Sequence, residues 1–175
     1  MSRLEDIAPD AMSAAQKQVF DQLVAGRGRI LAPYRVWIHS HEVASRMESL
    51  GTYLNKRSTL SRREVEIAIL VIARHWNSPY VINAHIREGM DAGLTRAAVD
   101  AILAGRDPAL ADPHEKAVHA FSAEVVGGDK LSDARFAELA RALRRDSLAE
   151  LLVLLGYYTS VALAMKVHDM PVPAG

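Results

Sequence analysis

Glu66 and His85 are the residues whose types and spacing point to chemistry. The stretch from one to the other reads EIAILVIARHWNSPYVINAH, with the helix-breaking Asn77-Ser78-Pro79 in its middle. An apolar helix, a bend and a second helix can fold the acid and the imidazole toward one another across a hairpin. A carboxylate inside so apolar a run must pair, accept hydrogen bonds or take up a proton, because an unpartnered buried charge is prohibitive. Two partners stand open for Glu66: Arg62, one helical turn earlier on the exposed rim, or the His85 imidazole. If Glu66 orients one ring nitrogen, the other can give or take a proton in the neutral range. His85 also has a plain structural reading, as a core or interface histidine beside Ile82 and Ile86. Tyr80 can turn its hydroxyl into the same pocket from the bend, or simply pack its ring and leave the hydroxyl in water.

The seven histidines call for a metal test. His39 and His41 stand two apart and His75 and His85 ten apart, so none makes the i, i+4 pair with an adjacent glutamate of a helical zinc site. Only a site assembled in three dimensions from these four histidines stays open; the expectation is no metal and no cofactor. A glycine-rich phosphate loop, a G-x-S-x-G elbow and a dinucleotide fingerprint are all missing. With no cysteine anywhere, disulfides, thiolate metal sites and thiol peroxidase or reductase chemistry are excluded.

The elements that must position these groups are helices. At 175 residues, half of them hydrophobic, the chain is expected to form one domain over 1–175, burying roughly 70% of its unfolded surface. Its 21 basic and 21 acidic residues balance, which argues against a nucleic-acid surface. No apolar leader follows Met1, so a cytoplasmic protein is expected. Leu148 to Met165 is long and apolar, yet Glu150, Gly156, Tyr157, Tyr158, Thr159 and Ser160 favour a buried core or interface helix over a membrane span.

Caps and breakers predict the helices in order. Ser13 opens one that runs to about Ala25 and closes at Gly26. Val36 to Ile38 can be a short extended piece, although its surroundings read as helical. His41 to about Asn55 carries an apolar stripe at Val43, Met47, Leu50 and Leu54. Ser61 and Glu64 form a capping box before a run that is apolar on every face, hence a central helix. Ser78 caps the next, with Pro79 at its first position and Gly93 after its end. Thr95, Asp112 and Ser132 open three more, and Ser147 with Glu150 forms a capping box for the last, which runs to about Val167. The Met170-Pro171-Val172-Pro173 tail cannot be helical and is expected along the surface.

Taken together, Arg63-Glu64-Val65-Glu66-Ile67-Ala68-Ile69-Leu70, Ala73-Arg74, Pro79-Tyr80, His85 and Ala92-Gly93-Leu94 resemble the core of the carboxymuconolactone decarboxylase family. Pro33-Tyr34, His39-Ser40, Gly156-Tyr157-Tyr158 and the proline-rich end extend the likeness over most of the chain. The resemblance implies an all-α, alkyl-hydroperoxidase D-like orthogonal bundle built on a central helical hairpin, assembled as homo-trimers or hexamers. It implies cofactor-free loss of carbon dioxide from a small carboxylated lactone or keto acid. His85 is then the proton donor, Glu66 its orienting partner and Tyr80 a hydrogen-bond donor to the enolate. Arg74, Arg87 and Ser78 are the candidates for holding the substrate; either arginine has a surface or interface ion pair as its alternative. The peroxidase branch places a Cys-x-x-Cys pair where this chain has Ser78 and Val81. Cysteine-free relatives show Tyr-Glu-Trp where this chain has Tyr80-Val81-Ile82. A non-catalytic, oligomeric small-molecule-binding protein is the other reading.

Overall fold

Residues 2–128 and 130–172 are described by a computed structural model. Their regular structure is helical: α1 (Ala14–Arg27), α2 (Ala32–Trp37), α3 (His41–Lys56), α4 (Arg62–His75), α5 (Pro79–Asp91), α6 (Arg96–Ala104), α7 (Pro113–Gly127), α8 (Asp133–Ala142) and α9 (Arg145–Val167). The all-α bundle expected from the sequence is what forms.

Helix α4 is its axis. Ser61 Oγ accepts from the Glu64 amide at 3.2 Å and Glu64 Oε2 accepts from the Ser61 amide at 2.7 Å, so the capping box fixes the first turn. Every residue from Glu64 to Ala73 is buried, because α5, α6, α7 and α9 surround the helix. Each fully buried Ile or Leu there contributes about 1.5–3 kcal/mol over its exposed state.

The turn into α5 explains how the hairpin folds back. Asn77 takes a left-handed φ of 45°, its amide donates to Arg74 O at 3.0 Å and the Ser78 amide to Ala73 O at 3.0 Å. This is a Schellman closure with asparagine in the place that glycine usually fills. Pro79, with no amide hydrogen to lose, then opens α5. Ser78 holds the cap position, but its hydroxyl does not cap: it is buried without a hydrogen-bond partner among the described residues.

One alternative closes and two further expectations change. The stretch that includes Val36 and Trp37 is helical, in α2, with Pro33 in its first turn. In α3 the inner face is Ala44, Gly51 and Leu54, while Val43 is 44% exposed; α1 and α2 approach from the side that small residues leave open. Helix α9 begins at Arg145, ahead of Ser147, and has no side-chain cap. Ser147 is buried inside its first turn against Thr59 Oγ1 at 2.9 Å, and Glu150 accepts from the Thr59 amide at 2.7 Å. The pair therefore ties α9 to the α3–α4 loop.

A second, smaller apolar cluster of Val19, Leu23, Tyr34, Ile38 and Ala44 joins α1, α2 and α3; Trp37 and Met47 pack against both clusters. Helix α9 has the length and hydropathy to cross a membrane, but it lies against α2, α3, α4, α5 and α7. Of the C-terminal tail, Met170 is buried and Val172 exposed; Pro173 lies outside the described residues.

Candidate active site

Glu66 is completely buried, and both of its expected partners reach it. His85 Nδ1 lies 2.7 Å from Glu66 Oε2. Since a carboxylate only accepts, that nitrogen carries the hydrogen and Nε2 is left as the working atom. Arg62 Nη2 sits 2.9 Å from Glu66 Oε1 and 2.7 Å from Glu88 Oε2. The Arg62–Glu66 contact is an ion pair without the angle of a directed hydrogen bond, so Oε1 accepts none. One carboxylate thus faces a guanidinium on its own helix and an imidazole on the next.

The wall behind His85 is aromatic. Tyr158 of α9 meets the His85 ring edge-on, with centroids 5.2 Å apart and planes at 88°. Burial foremost, and then the charge of Glu66, raises the Tyr158 hydroxyl above the ordinary phenol range. It therefore stays protonated and donates to Asn55 Oδ1 at 3.1 Å. The Asn55 amide in turn donates to Gly51 O at 2.8 Å. Tyr157 stacks edge-on against Tyr158 and meets Tyr34 hydroxyl to hydroxyl at 3.0 Å. This pair occupies the space a side chain at 51 would need: a Cβ on Gly51 would stand 2.3 Å from the Tyr157 hydroxyl.

The remaining sequence candidates are dispersed. Ser78 and Tyr80 line a cavity of about 190 Å³ at the hairpin bend, together with Met165, Lys166, Asp169 and Met170. Neither Glu66 nor His85 contributes to it. Arg74 reaches the other end of α4, where its guanidinium lies over Gly105. Arg87 is 77% exposed and 3.8 Å from Glu88. Neither arginine is brought to the dyad; the guanidinium there is Arg62.

The relation of cavity to dyad follows from helix register. Tyr158 meets His85, and seven residues on in α9 Met165 shares a cavity with Ser78, seven residues before His85 at the cap of α5. The two helices therefore run antiparallel.

A second glutamate–histidine contact was not foreseen. Glu64, beyond its capping role, accepts from His114 Nδ1, while Arg63 holds Glu115 and donates to the Gly93 carbonyl. Glu64 and Glu66 lie on nearly opposite sides of α4, so this cluster ties α4 to the start of α7 and stays apart from His85. No group of three or more His, Asp or Glu placed to hold a metal occurs among the described residues. Glu88, Asn55 and Tyr158 escaped sequence reading; only the Gly156-Tyr157-Tyr158 resemblance pointed toward one of them.

Residues 41–124 match the sequence profile of the carboxymuconolactone decarboxylase family, and that segment contains both Glu66 and His85. No curated protein matches the chain significantly. Solved structures share its fold. An uncharacterized peroxidase-related protein from Silicibacter sp. TM1040 superposes with a TM-score of 0.78 at 13% identity, covering 99% of this chain and 93% of that one. A cysteine-to-alanine variant of the debrominase Bmp8, in complex with 2,3,4-tribromopyrrole, gives 0.74 at 14% identity over 99% and 91%. Apo Bmp8 gives 0.72 at 13% identity over 92% and 87%. At these identities the likeness speaks for the fold alone. The profile match does more, since it likens the segment that carries the dyad to the carboxymuconolactone decarboxylase family.

Proposed function

We propose that this protein is a cofactor-free lyase of the decarboxylase type, acting on a small carboxylated lactone or keto acid. The observation that carries the reading is the 2.7 Å contact between the fully buried Glu66 carboxylate and His85 Nδ1. It fixes the imidazole so that Nε2 can deliver a proton. In the proposed reaction the bond from carbon to carboxylate breaks and carbon dioxide leaves. Its electron pair delocalises through the ring double bond into the lactone carbonyl, forming a dienolate. His85 then protonates carbon, and Glu66 stabilises the imidazolium form from which that proton comes. The profile match over residues 41–124 and the small brominated ring bound by the debrominase neighbour both favour a compact, flat substrate. Reductive thiol chemistry has no nucleophile here, since the chain lacks cysteine.

The absence of Glu66 and His85 from the lining of the bend cavity favours a second reading, in which the cavity binds a small molecule that never touches His85. A panel of small lactone acids and keto acids, followed for binding and for carbon dioxide release, separates the two. Release that disappears in His85→Gln supports the lyase; binding without release supports the binding protein.

We also propose that the chain works as a homo-oligomer, a trimer or hexamer. Leu152, Val153, Leu163 and Val167 are exposed along one face of α9, with Gly156 and Ser160 between them. So continuous an apolar stripe is uncommon on a surface that stays in water.

A further inference from the structure

The proton-transfer reading leaves one question open: what holds the His85 ring in the plane that keeps Nδ1 on Glu66. We propose that Tyr158 is a positioning residue for His85, acting through its ring and anchored by Asn55.

The groups around the imidazole define its freedom. On α4, Glu66 fixes Nδ1 and Arg62 draws on the other carboxylate oxygen. On α5, Glu88 is held by Arg62. From α9 comes Tyr158, perpendicular to the imidazole at 5.2 Å. One hydrogen bond alone lets the ring swing about it. An aromatic edge at right angles removes that swing, since rotation would drive one ring into the other. The side chain of His85 is only 15% exposed, so water offers little alternative.

Tyr158 is itself braced. Its hydroxyl donates to Asn55 Oδ1, and Asn55 is clamped to the Gly51 carbonyl. Gly51 sits under the Tyr34–Tyr157 hydroxyl pair, where no larger residue fits. Helices α2, α3 and α9 therefore converge on the orientation of one imidazole. Tyr158 does not touch substrate in this account; its hydroxyl is already committed to Asn55.

The test compares Tyr158→Leu and Tyr158→Phe by nitrogen-15 NMR of the histidine rings without substrate, with His85→Gln supplying the assignment. In the wild type, His85 should show a protonated Nδ1 and an unprotonated Nε2 at alkaline pH. Tyr158→Leu should give averaged ring nitrogens, and Tyr158→Phe, which keeps the ring, should restore the wild-type pattern. In turnover, Tyr158→Leu should lower kcat by about threefold to tenfold with KM nearly unchanged, the size of one aromatic contact, and Phe should rescue it. A folded Tyr158→Leu with the wild-type nitrogen pattern overturns the proposal, as does a Phe variant that behaves like Leu. Should Tyr158→Leu fail to fold, Tyr158→Met, which fills the space without an aromatic ring, replaces it, and an unchanged His85 pattern there overturns the proposal equally. The nitrogen pattern is read without turnover, so an inactive wild type would sink the lyase reading separately from this one.

Discussion

Glu66 carries the tightest constraint on any single residue. It is buried in full and shared between a guanidinium and an imidazole, and truncating one partner of such a group leaves the others uncompensated. Glu66→Gln keeps the volume but cannot orient Nδ1–H as a charged acceptor does. Turnover should fall about a hundredfold or more, while Arg62 keeps Glu88, and steady-state kinetics with circular dichroism would check both halves. Gly51 makes a second residue-scale case. Gly51→Ala forces a Cβ against the Tyr157 hydroxyl, so urea unfolding should show a loss of about 1–3 kcal/mol. The acid–imidazole pairing was legible because a carboxylate in an apolar run must find a partner. The Tyr158–Asn55–Gly51 brace was not, because its members are distant in sequence and none is unusual in its own helix.

The helices were readable wherever a side chain caps its own helix. Ser13, Ser61, Thr95, Asp112 and Ser132 all do. Ser61→Ala should therefore cost about 1 kcal/mol, with unfolding by urea as the measure. At Asn77 the backbone, not the side chain, closes α4. Asn77→Gly should hold or slightly raise stability, since glycine adopts positive φ without strain, whereas Asn77→Val should lower it. Reading failed where tertiary partners took the capping group. Ser147 and Glu150 have the spacing of a capping box, but Thr59 on a distant loop claims both side chains, so α9 starts earlier. The α3 stripe failed for a related reason: helices approach closest over Ala44 and Gly51, and apolar periodicity gives no weight to small residues.

At the scale of the whole molecule, acid should loosen the fold in two stages. Burial, against a weaker pull from Asp107, lowers the pKa of His119 in α7 from its ordinary 6.5. Above that value both folded and unfolded chains hold it neutral. Below it the unfolded chain binds the proton first, so stability falls as pH drops through and beneath 6.5. His119→Gln should flatten that limb of a urea-unfolding series. A second loss follows at lower pH. Asp6 is held below the usual carboxylate range by Arg35, Asp112 by the Glu115 and His114 amides, and Asp146 by Arg144. Their stabilisation is present above 3.8 and disappears as pH falls through the lowered values. Both apolar clusters share Trp37 and Met47, and we propose that they unfold as one unit, a single transition by fluorescence and circular dichroism. The exposed α9 stripe predicts association: Leu163→Arg should lower the mass seen by light scattering without loss of helix. All of these rest on the placement of the helices; the central claim is that His85, held by Glu66, moves a proton. Its most direct test follows carbon dioxide release from a small lactone acid or keto acid by the wild type and by a folded His85→Gln of the same oligomeric state. The account predicts release by the wild type and a loss of about a hundredfold or more in the variant; equal release by both would contradict it.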